Sequence, residues 1–327
     1  LESVSPLNFP ATNPDIVKET FQSGGANLLN GLKNFAEDLD PKTGRLNMRM
    51  VDKNKFVVGD NLACTPGKII FQNELVQLIQ YQPTTNDVYE VPILIVPPWI
   101  NKYYILDLRP ENSFVRWMVS KGFSVFVISW KEPNEENSDI DFYDYFSKGV
   151  DQVMKFMKSD LNFNKINTLG YCIGGTLQAL CLSYFERIGD TTINSATFLT
   201  SMIDFSEPGD LGFFVDEDIV EKLEVIMEAD GYLDGDHMSQ VFNILRANDL
   251  IWHFFINNYL KGKSPDAFDI LYWNSDSTRL PKNMHSFYLR EMYLKNSLAK
   301  PNALQVREIM IDVTKVNIPL CFVSAVE

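Results

Sequence analysis

The stretch Leu169-Gly170-Tyr171-Cys172-Ile173-Gly174-Gly175-Thr176 decides the fold of this 327-residue chain. The apolar run Ile166–Leu169 predicts a strand before it, and the pattern of Thr176–Phe185 predicts a helix after it. Gly-x-Cys-x-Gly between a strand and a helix is typical of a nucleophile elbow, with sulfur in place of a serine hydroxyl. Glycines stand where side chains would clash in so tight a turn, and the predicted elbow glycines are Gly170, Gly174 and Gly175. We therefore expect an exposed nucleophile at the carboxyl edge of a sheet.

Cys172 is the predicted nucleophile, and its neighbours in the turn indicate how it would react. The helix that opens near Ile173 directs its N-terminal dipole at the sulfur, which favours the thiolate. The backbone N–H of Ile173 is the predicted first donor to an oxyanion. The predicted second donor is the N–H of Ile100, in the loop after an earlier strand. The alternative is a small buried cysteine in a glycine-rich turn, with no role in chemistry.

The rest of the chain supplies the elements that such a turn requires. Apolar strands are predicted at Ile69–Phe71, Val76–Tyr81, Val91–Val96, Phe123–Ser129 and Ala196–Ser201. Amphipathic helices at Ser113–Val119 and Asp141–Asp160 lie between some of them. Continuous apolar strands alternating with amphipathic helices predict a parallel sheet that is covered on both faces.

The two ends of the alternating region set the predicted domain organisation. Residues 1–65 form an N-terminal segment, in which Leu28, Leu29, Leu32 and Phe35 recur at helical spacing and predict a layer lying against a core. Residues 66–205 form the first part of the core. Aromatic-rich helical residues 206–310 form an inserted cap, and residues 311–327 return to the core through the strand Ile318–Ser324. The predicted class is α/β: an α/β-hydrolase fold with a mostly parallel sheet, a cap and an N-terminal helical segment.

Composition excludes several functions. The net charge is −14 and no basic stripe is present, so we expect no nucleic-acid partner. No stretch approaches the roughly 18–20 apolar residues that a transmembrane helix needs, and no signal peptide is found. The cysteines lack the spacing of a metal site or a disulfide framework, which indicates a reduced, cytoplasmic setting and no metal. Of the others, Cys181 and Cys321 are expected in the core.

A cysteine nucleophile suits one kind of reaction. Its attack on a thioester gives an acyl-enzyme that is itself a thioester, at nearly the same free energy. That intermediate can transfer its acyl group to a hydroxyl and form an oxygen ester, with a decrease in free energy. A serine nucleophile would form an oxygen ester in the first step, which leaves little driving force for a second ester-forming step. Hydrolysis must be suppressed, which calls for a water-excluding cap.

The chain resembles the polyhydroxyalkanoate synthase family in segments well beyond the elbow. They include Ser5–Phe9, Ala11–Pro14, Glu37–Leu39, Gln77–Pro83, Val96–Leu108, Ser129-Trp130, Leu169–Thr176, Arg246–Trp252, Asn258–Gly262 and Tyr272–Asp276. The resemblance covers nearly the whole chain and is closest to the class that works as a single type of subunit on short-chain monomers.

This resemblance implies a reaction and its partners. Cys172 accepts an (R)-3-hydroxyacyl group from coenzyme A, and the 3-hydroxyl of one unit attacks the next acyl thioester to lengthen a polyester. It also implies a homodimer, association with polymer granules in the cytoplasm, and no metal or organic cofactor. Apolar surface on the N-terminal layer and the cap could adsorb to the polyester.

The family pattern places an Asp, in an Asp-His pair, after the late strand and a catalytic His further on. The sequence ends at Glu327, directly before the expected Asp, so we expect a fragment that is inactive or nearly so by itself. Asp204 follows a strand and is a weak substitute for the acid. Three histidines fall in the predicted cap and are expected to be structural: His237, His253 and His285.

Two charged residues follow the predicted oxyanion loop. Asp107 and Arg109 either orient that loop or pair with each other, and Asp107 is the predicted supporting residue. Two other functions stay open for the chain as a whole. One is a Cys-nucleophile hydrolase of the thioesterase or dienelactone-hydrolase type, and the other is an inactive granule-binding module.

Overall fold

A computed structural model describes residues 5–324 of the chain. The strands are β1 (Gly67–Gln72), β2 (Val76–Tyr81), β3 (Ile93–Val96), β4 (Val125–Trp130), β5 (Ile166–Tyr171), β6 (Ile193–Leu199), β7 (Tyr232–Leu233), β8 (Leu280–Pro281), β9 (Leu304–Val306), β10 (Ile309–Ile311) and β11 (Leu320–Val323). The α-helices are α1 (Pro14–Ser23), α2 (Ala26–Asp38), α3 (Phe114–Ser120), α4 (Phe142–Asp144), α5 (Gln152–Ser159), α6 (Ile173–Arg187), α7 (Glu217–Asp230), α8 (Gly235–Leu245), α9 (Asp269–Asn274) and α10 (Lys282–Phe287). Four segments are π-helical: Tyr145–Asp151, Asn248–Trp252, Phe255–Leu260 and Tyr288–Leu294.

Seven strands form one sheet, in the order β1-β2-β4-β3-β5-β6-β11. β2 is antiparallel to both β1 and β4, and every other neighbouring pair in this sheet is parallel. The register places Val96 of β3 opposite Gly170 of β5, and Tyr171 opposite Leu199 of β6. The carboxyl ends of three central strands therefore meet where the elbow turns. This architecture confirms the predicted α/β-hydrolase fold with a mostly parallel sheet.

Two compact units divide the chain. One combines the residues up to Asp60 with Met238–Ser275, and the other combines Asn61–His237 with the residues from Asp276 onward. The middle of the predicted cap thus belongs to the same unit as the N-terminal segment, a grouping that sequence order alone cannot reveal. The predicted boundaries near residues 65, 205 and 310 remain a sequence-based division.

In the first unit, α2 forms as predicted, but its apolar stripe does not become its buried face. The side chains of Leu29 and Leu32 are 72% and 66% exposed, whereas Asn27 and Gly31 are buried. A side chain on Gly31 would put its Cβ 1.8 Å from the backbone oxygen of Tyr259. Close backbone approach at this glycine therefore decides which face of α2 packs, and the leucines of the predicted stripe are exposed. The predicted packing of the N-terminal layer against a core stays a prediction.

In the second unit, the helical pattern predicted over Asp141–Asp160 is interrupted. Asp141 caps α4 by accepting a hydrogen bond from the backbone N–H of Asp144 (2.8 Å), and the π-helical turn Tyr145–Asp151 then leads into α5. Gly149 lies within that turn, where an added Cβ would sit 2.7 Å from the ring of Trp130. The tight packing of this indole requires glycine there.

The returning strand β11 pairs parallel with β6, as a late sheet strand should. Its residues are nevertheless exposed, with Phe322 at 58% and Val323 at 50%. Cys321 is exposed as well, so the expectation that it lies in the core is wrong for residues 5–324, in which β11 pairs with β6 on one side only. Cys181, by contrast, is buried within α6, as expected.

Candidate active site

Cys172 occupies the turn between β5 and α6 and has left-handed φ, with φ 52° and ψ −126°. Such a conformation costs a residue other than glycine about 1–3 kcal/mol and persists only where neighbours enforce it. Here the Cys172 N–H donates to the Leu199 carbonyl oxygen (2.9 Å), and the Cys172 carbonyl oxygen accepts from the Gly175 N–H (2.9 Å). These two hydrogen bonds fix the backbone on both sides of Cys172, and its side chain lies at the start of α6.

The elbow glycines are required by close packing. A Cβ on Gly174 would lie 2.2 Å from the Val96 carbonyl oxygen, so the first turn of α6 lies directly against the end of β3. A Cβ on Gly170 would lie 2.5 Å from the Cα of Gly175, and one on Gly175 would lie 1.9 Å from the Ser201 Oγ. Larger residues at these positions would push the helix away from the strand ends.

The electrostatics of the sulfur differ from expectation. Burial raises the pKa of Cys172, and the hydrogen bond from the Ile173 N–H, which lowers it, only partly compensates. Desolvation therefore outweighs this hydrogen bond, and the direction of the pKa shift is opposite to the thiolate that the turn was expected to favour. The N–H of Ile173 as the first oxyanion donor stays a prediction.

The loop after β3 carries the predicted second donor. Trp99 is buried, with its ring centroid 4.8 Å from that of Tyr145. The carbonyl oxygen of Ile100 accepts from the Thr278 N–H (2.8 Å), which fixes the loop on its other side. The N–H of Ile100 as an oxyanion donor stays a prediction.

Asp107 lies at the end of this loop and is buried. Its Oδ1 accepts from the hydroxyls of Thr65 and Ser113, both at 2.5 Å, and its backbone oxygen accepts from the Ala63 N–H. Arg109 forms an ion pair with Glu111 (3.7 Å). Asp107 therefore ties the loop to the start of α3, and its supporting role in catalysis stays a prediction.

Two tyrosines near the sulfur were not predicted from the sequence. Burial raises the pKa of both Tyr288 and Tyr293, and negative charge on Cys172 contributes to each shift. Their rings pack on each other and on Phe205, with centroid separations of 5.0 to 6.0 Å. Their positions in the sequence gave no signal, because they converge only through the π-helical turn Tyr288–Leu294.

The remaining candidates have structural partners of their own. Hydrogen bonds from the Ser206 N–H and the Asn296 amide lower the pKa of Asp204, which anchors the loop after β6. Burial lowers the pKa of His285 to about 4. The backbone carbonyl oxygen of His253 accepts a hydrogen bond from the side-chain amide of Asn257 (2.8 Å). None of these contacts involves Cys172.

Within residues 5–324, no group of three or more His, Cys, Asp or Glu side chains could hold a metal ion. No helix in this part of the chain is long and apolar enough to cross a membrane.

Comparison with known proteins shows which sequences the chain is similar to. Residues 1–118 match the family model described as the poly-beta-hydroxybutyrate polymerase (PhaC) N-terminus. The chain is 47% identical, over 98% of its length, to a poly(3-hydroxyalkanoate) polymerase of Methylorubrum extorquens. It is similar to poly(3-hydroxyalkanoate) polymerases over nearly all of its own length. Two further relatives are the PhaC subunits of Rhizobium meliloti (strain 1021), 48% identical over 91% of the chain, and of Cupriavidus necator, 39% identical over 98%.

The chain spans about half the length of these polymerases: 53%, 49% and 54%. Among solved structures it is similar to a putative lipase from Sulfolobus solfataricus, with 13% identity, 79% of this chain and 91% of that chain covered, and a TM-score of 0.42. It is also similar to a soluble variant of monoglyceride lipase from Saccharomyces cerevisiae, with 11% identity, coverage of 76% and 74%, and a TM-score of 0.42.

Proposed function

We propose that this polymerase-family chain carries the nucleophile of an acyltransferase that builds poly(3-hydroxyalkanoate) from (R)-3-hydroxyacyl-CoA. The observation that carries the proposal is Cys172 itself, held at φ 52° between β5 and α6 with the Ile173 N–H directed at its sulfur. A strained cysteine at the carboxyl edge of an α/β sheet is the arrangement that nucleophilic acyl transfer requires.

The proposed reaction has two transfers. In the first, the Cys172 sulfur loses its proton and attacks the thioester carbonyl, and the N–H groups of Ile173 and Ile100 stabilise the oxyanion. The carbon–sulfur bond to coenzyme A breaks, and the coenzyme A sulfur takes up a proton. In the second, the 3-hydroxyl of another unit attacks the Cys172 thioester, the new ester forms, and the thiol is released. Gly174 and Asp107 act indirectly, since they position the helix and the loop that hold the donors.

Proton removal is the step for which we propose that residues 5–324 supply no base. Burial raises the pKa of the Cys172 thiol, so at neutral pH the resting sulfur is protonated. None of the contacts made by His253 or His285 involves the sulfur. We therefore propose that these 327 residues by themselves release coenzyme A from 3-hydroxybutyryl-CoA only very slowly.

Imidazole in the buffer tests this account, because a small base can replace a missing one. We expect no coenzyme A release above background without imidazole, and release that rises with its concentration and is lost in Cys172→Ala. Release at an enzymatic rate without imidazole would contradict the proposed inactivity. Under imidazole, 3-hydroxyacyl oligomers support acyl transfer to a hydroxyl, whereas free hydroxy acid alone supports the hydrolase alternative.

The N-terminal helices support a second part of the proposal, attachment to polymer. Phe21 is exposed on α1, and Leu29 and Leu32 are exposed on α2. Leu28 is exposed as well, and no charged residue lies between Leu28 and Leu32 in the sequence. Exposed apolar groups of this kind can adsorb to an apolar polyester surface. We propose that the chain binds polymer granules in the cytoplasm through these residues. We also propose that it works as a homodimer, and light scattering of the purified chain would test this oligomeric state.

A further inference from the structure

The loop that follows β3 begins directly against the elbow. A Cβ added to Gly174 would lie 2.2 Å from the Val96 carbonyl oxygen and 2.8 Å from that of Pro97. The indole N–H of Trp130 donates to the same Pro97 oxygen (2.9 Å). The start of the loop is therefore fixed beside the first turn of α6, where an oxyanion formed at Cys172 would need its second donor.

The composition of this loop limits which amides can serve as that donor. Pro97 and Pro98 have no N–H, so the first amides available after β3 are those of Trp99 and Ile100. The Trp99 ring is buried, and its centroid lies 4.8 Å from that of Tyr145. The peptide that carries the Ile100 N–H is thus anchored on its Trp99 side, and its direction depends on what holds Ile100 on the other side.

A segment distant in sequence holds that other side. Residues 276–279, the strap, run beside the loop, and Ser277 forms an isolated antiparallel bridge with Asn101. The N–H of Thr278 donates to the Ile100 carbonyl oxygen (2.8 Å), and Thr278 is buried. The strap therefore fixes the carbonyl group of the same residue whose N–H the site would use.

Both ends of the strap have further hydrogen bonds. At one end, Glu132 accepts from the Arg279 N–H (3.0 Å) and from the Lys102 ammonium group of the loop. At the other end, the Tyr104 hydroxyl of the loop donates to Asp276 Oδ2 (2.7 Å). Tyr104 is 1% exposed, and a buried hydroxyl is costly to leave without a partner. Because this last contact joins loop and strap through side chains, a substitution can remove it without changing the backbone.

We propose that Asp276 is a positioning residue for acyl transfer at Cys172. By accepting from Tyr104 it keeps the strap on the loop, and the strap holds the Ile100 N–H in place for the oxyanion. This inference rests on the proposed function, because it requires Cys172 to attack a thioester carbonyl. A displacement of about 1 Å in a catalytic group can slow a reaction about 100-fold, so loosening the strap should slow acylation strongly.

Two reactions at the same sulfur separate this role from general damage to the elbow. With iodoacetamide, the sulfur attacks a saturated carbon, iodide leaves and no oxyanion forms. Acylation by 3-hydroxybutyryl-CoA, with imidazole as the base, proceeds through an oxyanion. Both rates are measured at Cys172 of the full 327-residue chain by peptide mass spectrometry. The ratio of the acylation rate to the alkylation rate then reports on the oxyanion donors.

Substitutions on both sides of the contact test the proposal. Asp276→Ala removes the acceptor, and Tyr104→Phe removes the donor. Each should lower the acylation rate about 10-fold or more and change the alkylation rate by less than about 2-fold. Asp276→Asn keeps an oxygen that can accept from Tyr104, and its acylation rate should stay within about 3-fold of that of the natural sequence. The matched control is Asp190→Ala, which should change neither rate, because Asp190 is also half-buried but accepts from the Thr192 N–H (2.8 Å) at the amino end of β6.

The possible outcomes separate the inference from the proposed function. Absence of acylation in the natural sequence overturns both. Acylation of the natural sequence that is equally fast in Asp276→Ala and Tyr104→Phe overturns the inference and leaves the proposed function standing. Acylation and alkylation rates that decrease together in both variants mean that the contact only maintains the elbow, which also overturns the inference. Circular dichroism shows whether each variant is folded, and Tyr104→Phe decides the question if Asp276→Ala is not.

Discussion

The elbow at Cys172 and the helix α2 each depend on a glycine in backbone contact, yet they differ in what surrounds it. Gly174 would place a Cβ 2.2 Å from the Val96 oxygen, and Gly31 would place one 1.8 Å from the Tyr259 oxygen. Around Gly174 every residue of the first turn of α6 is buried, whereas around Gly31 the leucines of α2 remain in solvent. Gly174 therefore helps to fix the Cys172 sulfur within a buried region. Gly31 fixes the position of α2, whose apolar side remains exposed to solvent.

The largest expected effect is at the elbow. Gly174→Ala forces a methyl group against the backbone of β3, and neither the strand nor α6 can move without disturbing the sheet. We expect a loss of about 3 kcal/mol or more in the free energy of unfolding, measured by urea denaturation. Gly212→Ala is the control, since its new Cβ meets only the Pro208 ring at 3.0 Å, and it should change stability by less than about 0.5 kcal/mol. Equal effects would show that the close approach at Gly174 is not a constraint.

The same substitution in α2 should cost less. Gly31→Ala also meets a backbone oxygen, but α2 has few buried side chains and alanine raises helix propensity by about 1 kcal/mol. We expect a net loss of about 1–2 kcal/mol in the same denaturation experiment. A loss as large as that of Gly174→Ala would contradict the contrast between a rigid elbow and an adjustable helix.

The reactivity of Cys172 should respond to pH as a buried thiol does. Because burial raises its pKa above the ordinary value, the thiolate fraction is small at neutral pH and increases as pH rises. The rate of iodoacetamide labelling at Cys172 should therefore still be increasing above pH 9, where the rate for free glutathione is levelling off. A rate at Cys172 that is already constant at pH 7 would mean that α6 stabilises the thiolate after all.

The smallest effect on stability is expected on the exposed side of α2. The double variant Leu29→Lys and Leu32→Lys removes apolar surface that is already in water, so the free energy of unfolding should change by less than about 0.5 kcal/mol. Its adsorption to poly(3-hydroxybutyrate) particles, measured by sedimentation, should decrease several-fold. Lys18→Leu serves as the reverse control, because it adds apolar surface on α1. Unchanged adsorption of the lysine variant would remove α2 from the proposed polymer contact.

The same contrast explains what the sequence could predict. Most of the strands, the elbow glycines and the position of Cys172 follow from local patterns, because a tight strand–turn–helix leaves few conformations to choose from. The exposed face of α2, the exposure of Cys321 and the grouping of Met238–Ser275 with the N-terminal residues depend on contacts distant in sequence. The pairing of Tyr288 with Tyr293 depends on a π-helical turn, which has no sequence signature comparable to a cap or a glycine motif.

The central claim is that Cys172 accepts an acyl group as a thioester, and the covalent adduct tests it most directly. The chain is incubated with 3-hydroxybutyryl-CoA and imidazole, quenched in acid, and analysed by intact and peptide mass spectrometry. We predict the mass of one 3-hydroxybutyryl group on the peptide containing Cys172, removed by neutral hydroxylamine and absent in Cys172→Ala. Acylation of another residue, or an adduct that persists in Cys172→Ala, would contradict the account.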